Sequence, residues 1–231
     1  MIKKIIQKVG AIIGRYYAKK ESDFRKKECD RLFRSYKNYK NLQLHFGCGP
    51  RILKGWINID LSFEPYANYL QYYTDKYYPE AVRGDKNDFY AIDILKTGLP
   101  LPDNSVDVIF HEDFFEHLNQ KEQIIFLAET LRVLKKEGVH RINTPDLLES
   151  MKKSSDFRKG KNGVFTYEWD GHRHLNICTK NILSELAKMV GYRDVIFKKR
   201  DGSSSTLIPK EYRPDPNDRP ENGNIFADLI K

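Results

Sequence analysis

The run LQLHFGCGPRILKGWINIDL, residues 42–61, restricts the fold more than any other stretch of the chain. An alternating apolar segment, LQLHF, stops at Gly47-Cys48-Gly49, and a second apolar segment, WINID, ends on Asp60. Both segments read as short strands of a largely buried sheet. In open α/β sheets, ligands bind beyond the carboxyl ends of the strands, where strand order reverses. Glycines at such an end let the backbone approach a ligand, because they carry no Cβ. A carboxylate at the end of the neighbouring strand can accept two hydrogen bonds from a ribose diol. Taken alone, the same residues also fit a tight turn and a helix cap.

A dinucleotide fingerprint needs a third glycine and an acid about 20 residues further on. Here Arg51 stands near the place of that glycine, and Asp60 follows Gly49 by only 11 residues. Residues 50–56 leave room for about one helical turn, so no long helix N-terminus faces a pyrophosphate. An adenosine ligand without phosphates, such as S-adenosylmethionine, suits the spacing better.

The remaining elements follow the same alternation. FYAIDI (89–94), VDVIF (106–110) and GVHRINTP (138–145) read as further strands, and GLPLPDNS (98–105) carries turn chemistry. Residues 120–135 and 179–192 are amphipathic helices, the second with Thr179 as N-cap and Gly191 as its stop. Residues 193–199 and 224–230 read as two closing strands, and residues 146–165 as loop. An aromatic-rich insert over 63–90 is expected to be helical over 65–75. Strands alternating with helices predict an α/β fold with a mostly parallel sheet.

Charge separates the first 40 residues from the rest. The whole chain has a formal net charge of +8, but residues 1–40 hold 13 Lys/Arg against 4 Asp/Glu. The body is therefore close to neutral, which argues against a distributed nucleic-acid surface and for a basic handle. Apolar residues from Ile2 to Tyr17 recur near helical spacing, and we expect two helices in this arm, over about 2–20 and 22–38. The predicted organisation is a helical arm (1–40) and a catalytic domain (41–231). Three roles are open for the arm: packing on the body or in a homodimer, lying on an anionic membrane, or contacting RNA phosphates. Three scattered cysteines give no disulfide framework. No cleavage-site pattern follows the basic start, and no run reaches the length of a membrane span. The expected location is the cytoplasm, with peripheral membrane contact as an extension.

HFGCGPRILKGWINID resembles the glycine motif of class I S-adenosylmethionine-dependent methyltransferases, and most of all the subgroup with Gly-Trp-x-Asn-x-Asp after Gly-Cys-Gly. AIDILKTGLPLPDNSVDVIF, FEHL (115–118) and ETLRVLKKEGVHRINTPDL resemble the later landmarks of that family in order. The resemblance covers about residues 42–148. It implies a Rossmann-like sheet of seven strands in the order 3-2-1-4-5-7-6, with helices on both faces, and S-adenosylmethionine as cofactor. By the same resemblance, Phe46, Gly47, Cys48, Gly49, Asp60, Leu61, Asp93, Ile94, His111 and Glu112 form the cofactor site. Asp60 would hold the ribose and Asp93 the adenine amino group. Two departures stand out: His45 replaces the usual acid before the glycines, and Lys136-Glu137 replaces Pro-Gly.

Hydroxyl acceptors call for a general base, most often histidine. His172 and His174, in EWDGHRHLN, lie where such families build acceptor pockets, and His111 lies at the end of the fourth strand. A turn cap and packing on Trp169 are the plainer roles for the first two. Glu116 and His117 read as fold-stabilising. Asp146 or Asp170 could join the two histidines around a metal, but no tight ligand spacing supports this, and no metal is assigned. The sequence at the end of the fourth strand, HEDF, lacks the Asn/Asp-Pro-Pro-aromatic pattern of base-amino methyltransferases. The expected acceptor is therefore a hydroxyl of a small polar molecule, and the resemblance to the Gly-Trp-x-Asn-x-Asp subgroup, often linked with surface-glycan assembly, implies a saccharide. The rival readings are an RNA methyltransferase using the arm and a non-catalytic scaffold of the same fold.

Overall fold

The computed structural model describes residues 2–66, 78–152, 160–161, 164–210 and 223–231. A long helix, α1 (Ile2–Tyr36), leads into β1 (Leu42–Phe46) and β2 (Ile57–Asp60). Next come β3 (Phe89–Ala91), α2 (Ile94–Thr97), β4 (Val106–Glu112), α3 (Gln120–Val133) and β5 (Leu134–Pro145). The chain ends with α4 (Leu147–Ser150), a small hairpin of β6 (Gly160–Lys161) and β7 (Val164–Phe165), α5 (Tyr167–Asp170), α6 (Lys180–Val190), β8 (Asp194–Phe197) and β9 (Asn224–Ile230). The main sheet has seven strands in the order β3-β2-β1-β4-β5-β9-β8. The first five strands pair in parallel, and β9 is antiparallel to both neighbours. This is the predicted 3-2-1-4-5-7-6 sheet, with the order reversing at β1/β4. The helix expected over 65–75 falls mostly on residues 67–77, outside the described residues.

Alternation along the strands builds two cores. Leu42, Leu44 and Phe46 of β1 and Ile109 of β4 face one side, with Phe126, Leu127, Leu183 and Leu186 of α3 and α6. Val108 and Phe110 face the other, with Leu53, Trp56 and Tyr78. His45 joins that second face: its ring stacks on Phe110 at 5.3 Å, and Nδ1 lies 3.1 Å from Asn58 Oδ1. The helix caps follow the sequence. Thr179 accepts from the Ile182 N–H, and Gly191 takes the left-handed conformation (φ +119°) that ends α6.

The arm differs from expectation: it is one helix, not two. No proline or glycine interrupts residues 15–40, so nothing forces a break near Glu21. Residues 10–24 are exposed, including Ile12, Ile13, Tyr16 and Tyr17, so this part of the apolar stripe does not pack on the body. The C-terminal half does pack, against the edge strand β3. Arg25 Nη1 donates to the Leu61 and Ala91 carbonyls (2.8 and 3.0 Å), Arg31 donates to the Phe89 carbonyl, and Glu28 Oε2 accepts from the Ala91 N–H (3.1 Å). Beneath this clasp Leu32 is fully buried. Leu32→Ala is expected to destabilise the protein by about 2–5 kcal/mol, the usual range for truncating a buried leucine. Urea unfolding checks this; a change below about 1 kcal/mol would mean that α1 is not part of the core.

Other strands run past their predicted ends. β4 extends to Glu112, so His111 lies inside the ladder, and β5 starts at Leu134, directly after α3. The third strand stops at Ala91, and Ile94 opens α2 instead. Within residues 146–165, read as loop, the described part contains α4 and the β6/β7 hairpin. Under β5 and β9 lies a buried pair, Arg141 with Asp228 at 3.4 Å, in which Asp228 also accepts from Ser203 Oγ and the Ser204 N–H.

Candidate active site

At the point where strand order reverses, a cavity of about 270 Å³ opens beyond β1 and β2. Phe46, Asp60, Leu61, Asp93 and Ile94 line it, together with Phe114, His117, Leu118 and Leu175. The turn after β1 supports this cavity. Gly47 and Gly49 have φ of +55° and +48°, a region L side chains enter at a cost. A Cβ on Gly47 would lie 2.7 Å from the Phe114 ring, so this glycine is required by space as well as by conformation. The Gly49 N–H donates to Asp60 Oδ2 (2.9 Å), and the Leu61 N–H to Oδ1 (2.6 Å). These bonds aim the carboxylate and leave lone pairs on both oxygens for a ligand. Burial raises the Asp60 pKa from the usual range, and the two backbone bonds limit the rise. Asp93 stands on the same cavity wall, at the N-terminus of α2, with Lys96 Nζ 3.0 Å from its carboxylate.

The structure brings five of the predicted cofactor residues around one space: Phe46, Asp60, Leu61, Asp93 and Ile94. Others lie elsewhere. The Cys48 side chain packs with Ile52, Phe89 and Ala91, so only its backbone belongs to the turn. Glu112 is buried, accepts from Arg51 Nη1 at 2.8 Å, and is not among the residues that line the cavity. His111 requires a correction as a candidate base. Its ring is fully buried among Phe114, Phe115, Phe126 and His140, and burial, then the neighbouring His140 and His45, push its pKa well below the ordinary value. An imidazole enclosed in this way has no route to an acceptor.

His172 and His174 do come together, with stacked rings at 5.4 Å, but they differ in surroundings. His172 is exposed, whereas His174 is buried with Glu168 Oε2 2.8 Å from its Nδ1, off the N–H axis. Trp169, the expected packing partner for one of them, is 38% exposed. His117, read from sequence as structural, instead lines the cavity and meets His174 edge to face at 4.9 Å. Glu116, read from sequence as fold-stabilising, is fully buried and accepts from Thr144 Oγ1 at 3.0 Å. Asp146 caps α4, and Asp170 is exposed. Sequence reasoning missed Phe114, His117, Leu118 and Leu175 as cavity residues. The signal available was FFEHL itself, placed directly after the fourth strand.

The strand order, the reversal point and the glycine–acid turn define a Rossmann-like methyltransferase fold. Residues 44–142 match the family described as "Methyltransferase domain". That match and the sheet order give the chain the fold of class I S-adenosylmethionine-dependent methyltransferases, and they support S-adenosylmethionine as the cofactor. Among solved structures, an S-adenosylmethionine-dependent methyltransferase from Archaeoglobus fulgidus is 18% identical, with 94% of this chain and 100% of that chain covered and a TM-score of 0.50. A methyltransferase from Mesorhizobium loti is 14% identical (86% and 95% covered, TM-score 0.48). A Haloferax volcanii complex of the Trm112 methyltransferase activator with a methyltransferase is 15% identical (91% and 93%, TM-score 0.48). A comparison with curated proteins finds no match. Among the described residues no helix is long and apolar enough to cross a membrane.

Proposed function

We propose that this chain transfers a methyl group from S-adenosylmethionine to a hydroxyl of a small polar acceptor, with saccharides as the favoured class. The observation that carries this reading is the shared residue His117, which lines the cavity of Asp60 and Asp93 and also touches the histidine cluster of His172 and His174. A cavity near 270 Å³ is close to the lower bound of ligand sites, about 300 Å³, which suits the nucleoside end of the cofactor. Asp60 accepts from the ribose hydroxyls, Asp93 accepts from the adenine amino group, and Phe46, Leu61 and Ile94 supply apolar contact. S-adenosylmethionine, when bound, supplies an electrophilic methyl carbon whose bond to sulfur breaks as the new O–C bond forms, with the electron pair returning to sulfur.

Much of the rate comes from alignment and the exclusion of water. Phe114 and Leu118 wall the cavity, and the buried Phe115 backs them. His172 takes the acceptor's O–H proton. Being exposed, it can pass that proton to solvent, and its stacking on buried His174 holds its ring. The choice of a saccharide rests on family resemblance; the absence of a base-amino motif in HEDF supports oxygen over nitrogen. His172→Ala is expected to lower turnover about 100-fold while leaving cofactor affinity unchanged, in the range of general-base loss. Methyl-transfer assays on a sugar panel, with calorimetry against S-adenosylmethionine, check it. Unchanged turnover in this variant would remove His172 from the reaction, and no heat with the parent protein would remove the methyl-transfer reading itself.

A further inference from the structure

We propose that Glu116, His117 and His174 bind one divalent transition-metal ion beside the cofactor cavity. We further propose, resting on the methyl-transfer reading above, that this ion keeps a coordination position open for the acceptor oxygen. One ligand atom from each of these residues lies within 4.8 Å of the others. His174 Nε2 is 3.8 Å from Glu116 Oε1. An ion about 2.0–2.1 Å from each ligand in a tetrahedral set separates ligand atoms by about 3.3–3.4 Å, so a small inward movement closes the site. Two imidazoles and one carboxylate suit zinc, manganese, iron or cobalt, whereas magnesium and calcium prefer oxygen alone. Three protein ligands also leave a position free, as catalytic sites do.

The surroundings have the form of a built site. Glu168 Oε2 lies 2.8 Å from His174 Nδ1, while its Oε1 accepts from Ser150 Oγ at 3.2 Å. A carboxylate beside one ring nitrogen directs the other nitrogen toward a metal. Here the nitrogen so directed is Nε2, on the Glu116 side. His174 is 4% exposed, and its Nδ1 has no aligned hydrogen bond, so the ring is buried beside two carboxylates. On the other ligand, Thr144 Oγ1 holds Glu116 Oε2 at 3.0 Å and leaves Oε1 toward His174. The backbone locks the two segments together. The Leu175 and Asn176 N–H groups both donate to the Glu116 carbonyl (2.8 and 3.1 Å), and Gln123 bridges the Phe115 and Asn176 carbonyls. The ligands therefore lie on a 3₁₀ turn (Phe115–His117) and a loop held together by hydrogen bonds. His117 also lines the cofactor cavity, so the ion would stand at its border. An acceptor hydroxyl on the open position would be acidified by the metal and would release its proton to His172.

The test uses the full chain, stripped with a chelator and titrated with cobalt(II). Expected are saturable visible d–d bands at one ion per chain, shifted by azide, which takes an open position. His117→Ala, Glu116→Gln and His174→Gln are each expected to weaken cobalt binding at least tenfold, and Glu168→Gln about 10- to 100-fold. His172→Ala is expected to bind cobalt as the parent does. Where a buried variant fails to fold, His117→Ala decides, because that residue is exposed. No saturable bands in the parent, or parent-like affinity in His117→Ala, would overturn the site. Bands that azide leaves unmoved would overturn the open position. A protein that takes cobalt but gives no heat with S-adenosylmethionine would sink the methyl-transfer reading and support the ion site alone.

Discussion

Asp60→Ala is expected to weaken S-adenosylmethionine binding by about 100-fold, measured by calorimetry on folded protein. The carboxylate ends β2, and the Gly49 and Leu61 N–H groups occupy one lone pair on each oxygen. In the proposed reading the remaining lone pairs would serve the two ribose hydroxyls. Hydrogen bonds to a charged group contribute about 1.5–3 kcal/mol each. Two at the lower end of that range amount to about 3 kcal/mol, or two orders of magnitude in Kd. The variant also leaves the Gly49 N–H without its acceptor, which loosens the turn. Asp60→Asn keeps one acceptor and should lose about tenfold. An affinity for Asp60→Ala within threefold of the parent would mean that the ribose is held elsewhere, and the glycine–acid argument would fail with it.

The second large effect is an acid-side loss of stability that begins well above the usual carboxylate range. Burial, then the Arg51 charge, lowers the His45 pKa to about 3, and burial alone lowers that of His140 to about 3. In the unfolded chain both imidazoles take a proton near pH 6.5. Between pH 6.5 and 3 the unfolded state therefore binds more protons, and stability falls as pH falls through that window. At pH 5 each contributes a loss of about 2 kcal/mol, together about 4 kcal/mol out of a typical 5–15. His111 acts in the same direction. Glu28 adds to the loss at lower pH: burial raises its pKa, but the hydrogen bond from Arg31 and the Ala91 N–H bring it below the ordinary value. Asp60 and Asp146, raised mainly by burial, oppose it slightly. The urea midpoint should drop steadily from pH 7.5 to pH 5. A flat profile would mean that water reaches these rings in the folded protein.

Much of the sheet was readable because its strands alternate over buried positions and end in turn residues. LQLHF ends at its glycine turn and NIFADLI is an apolar run buried throughout, and both fall where expected. The α6 caps were readable because Thr179 and Gly191 act within one turn of their own helix. Where expectation and structure parted, the cause was tertiary. β4 and β5 lengthen because each is flanked on both sides by partners that take up their backbone groups. His111 looked like a strand-end base until the added turn of ladder enclosed it. The Glu116–His117–His174 grouping could not be read from spacing, since more than fifty residues separate its two halves. The backbone bonds between 116 and 175–176, with the Gln123 bridge, bring them together.

A sheet of this kind has two outer strands, and here they are treated differently. β3 is spanned by the guanidinium groups and carboxylate of α1, so its hydrogen-bonding margin is already engaged. β8 lies at the opposite margin with most of its residues exposed. Strand-to-strand joining between copies can then proceed through one side only. Among the described residues, a pairing of copies through the open margin of this seven-stranded sheet would close on itself, because the sheet's other margin is already engaged.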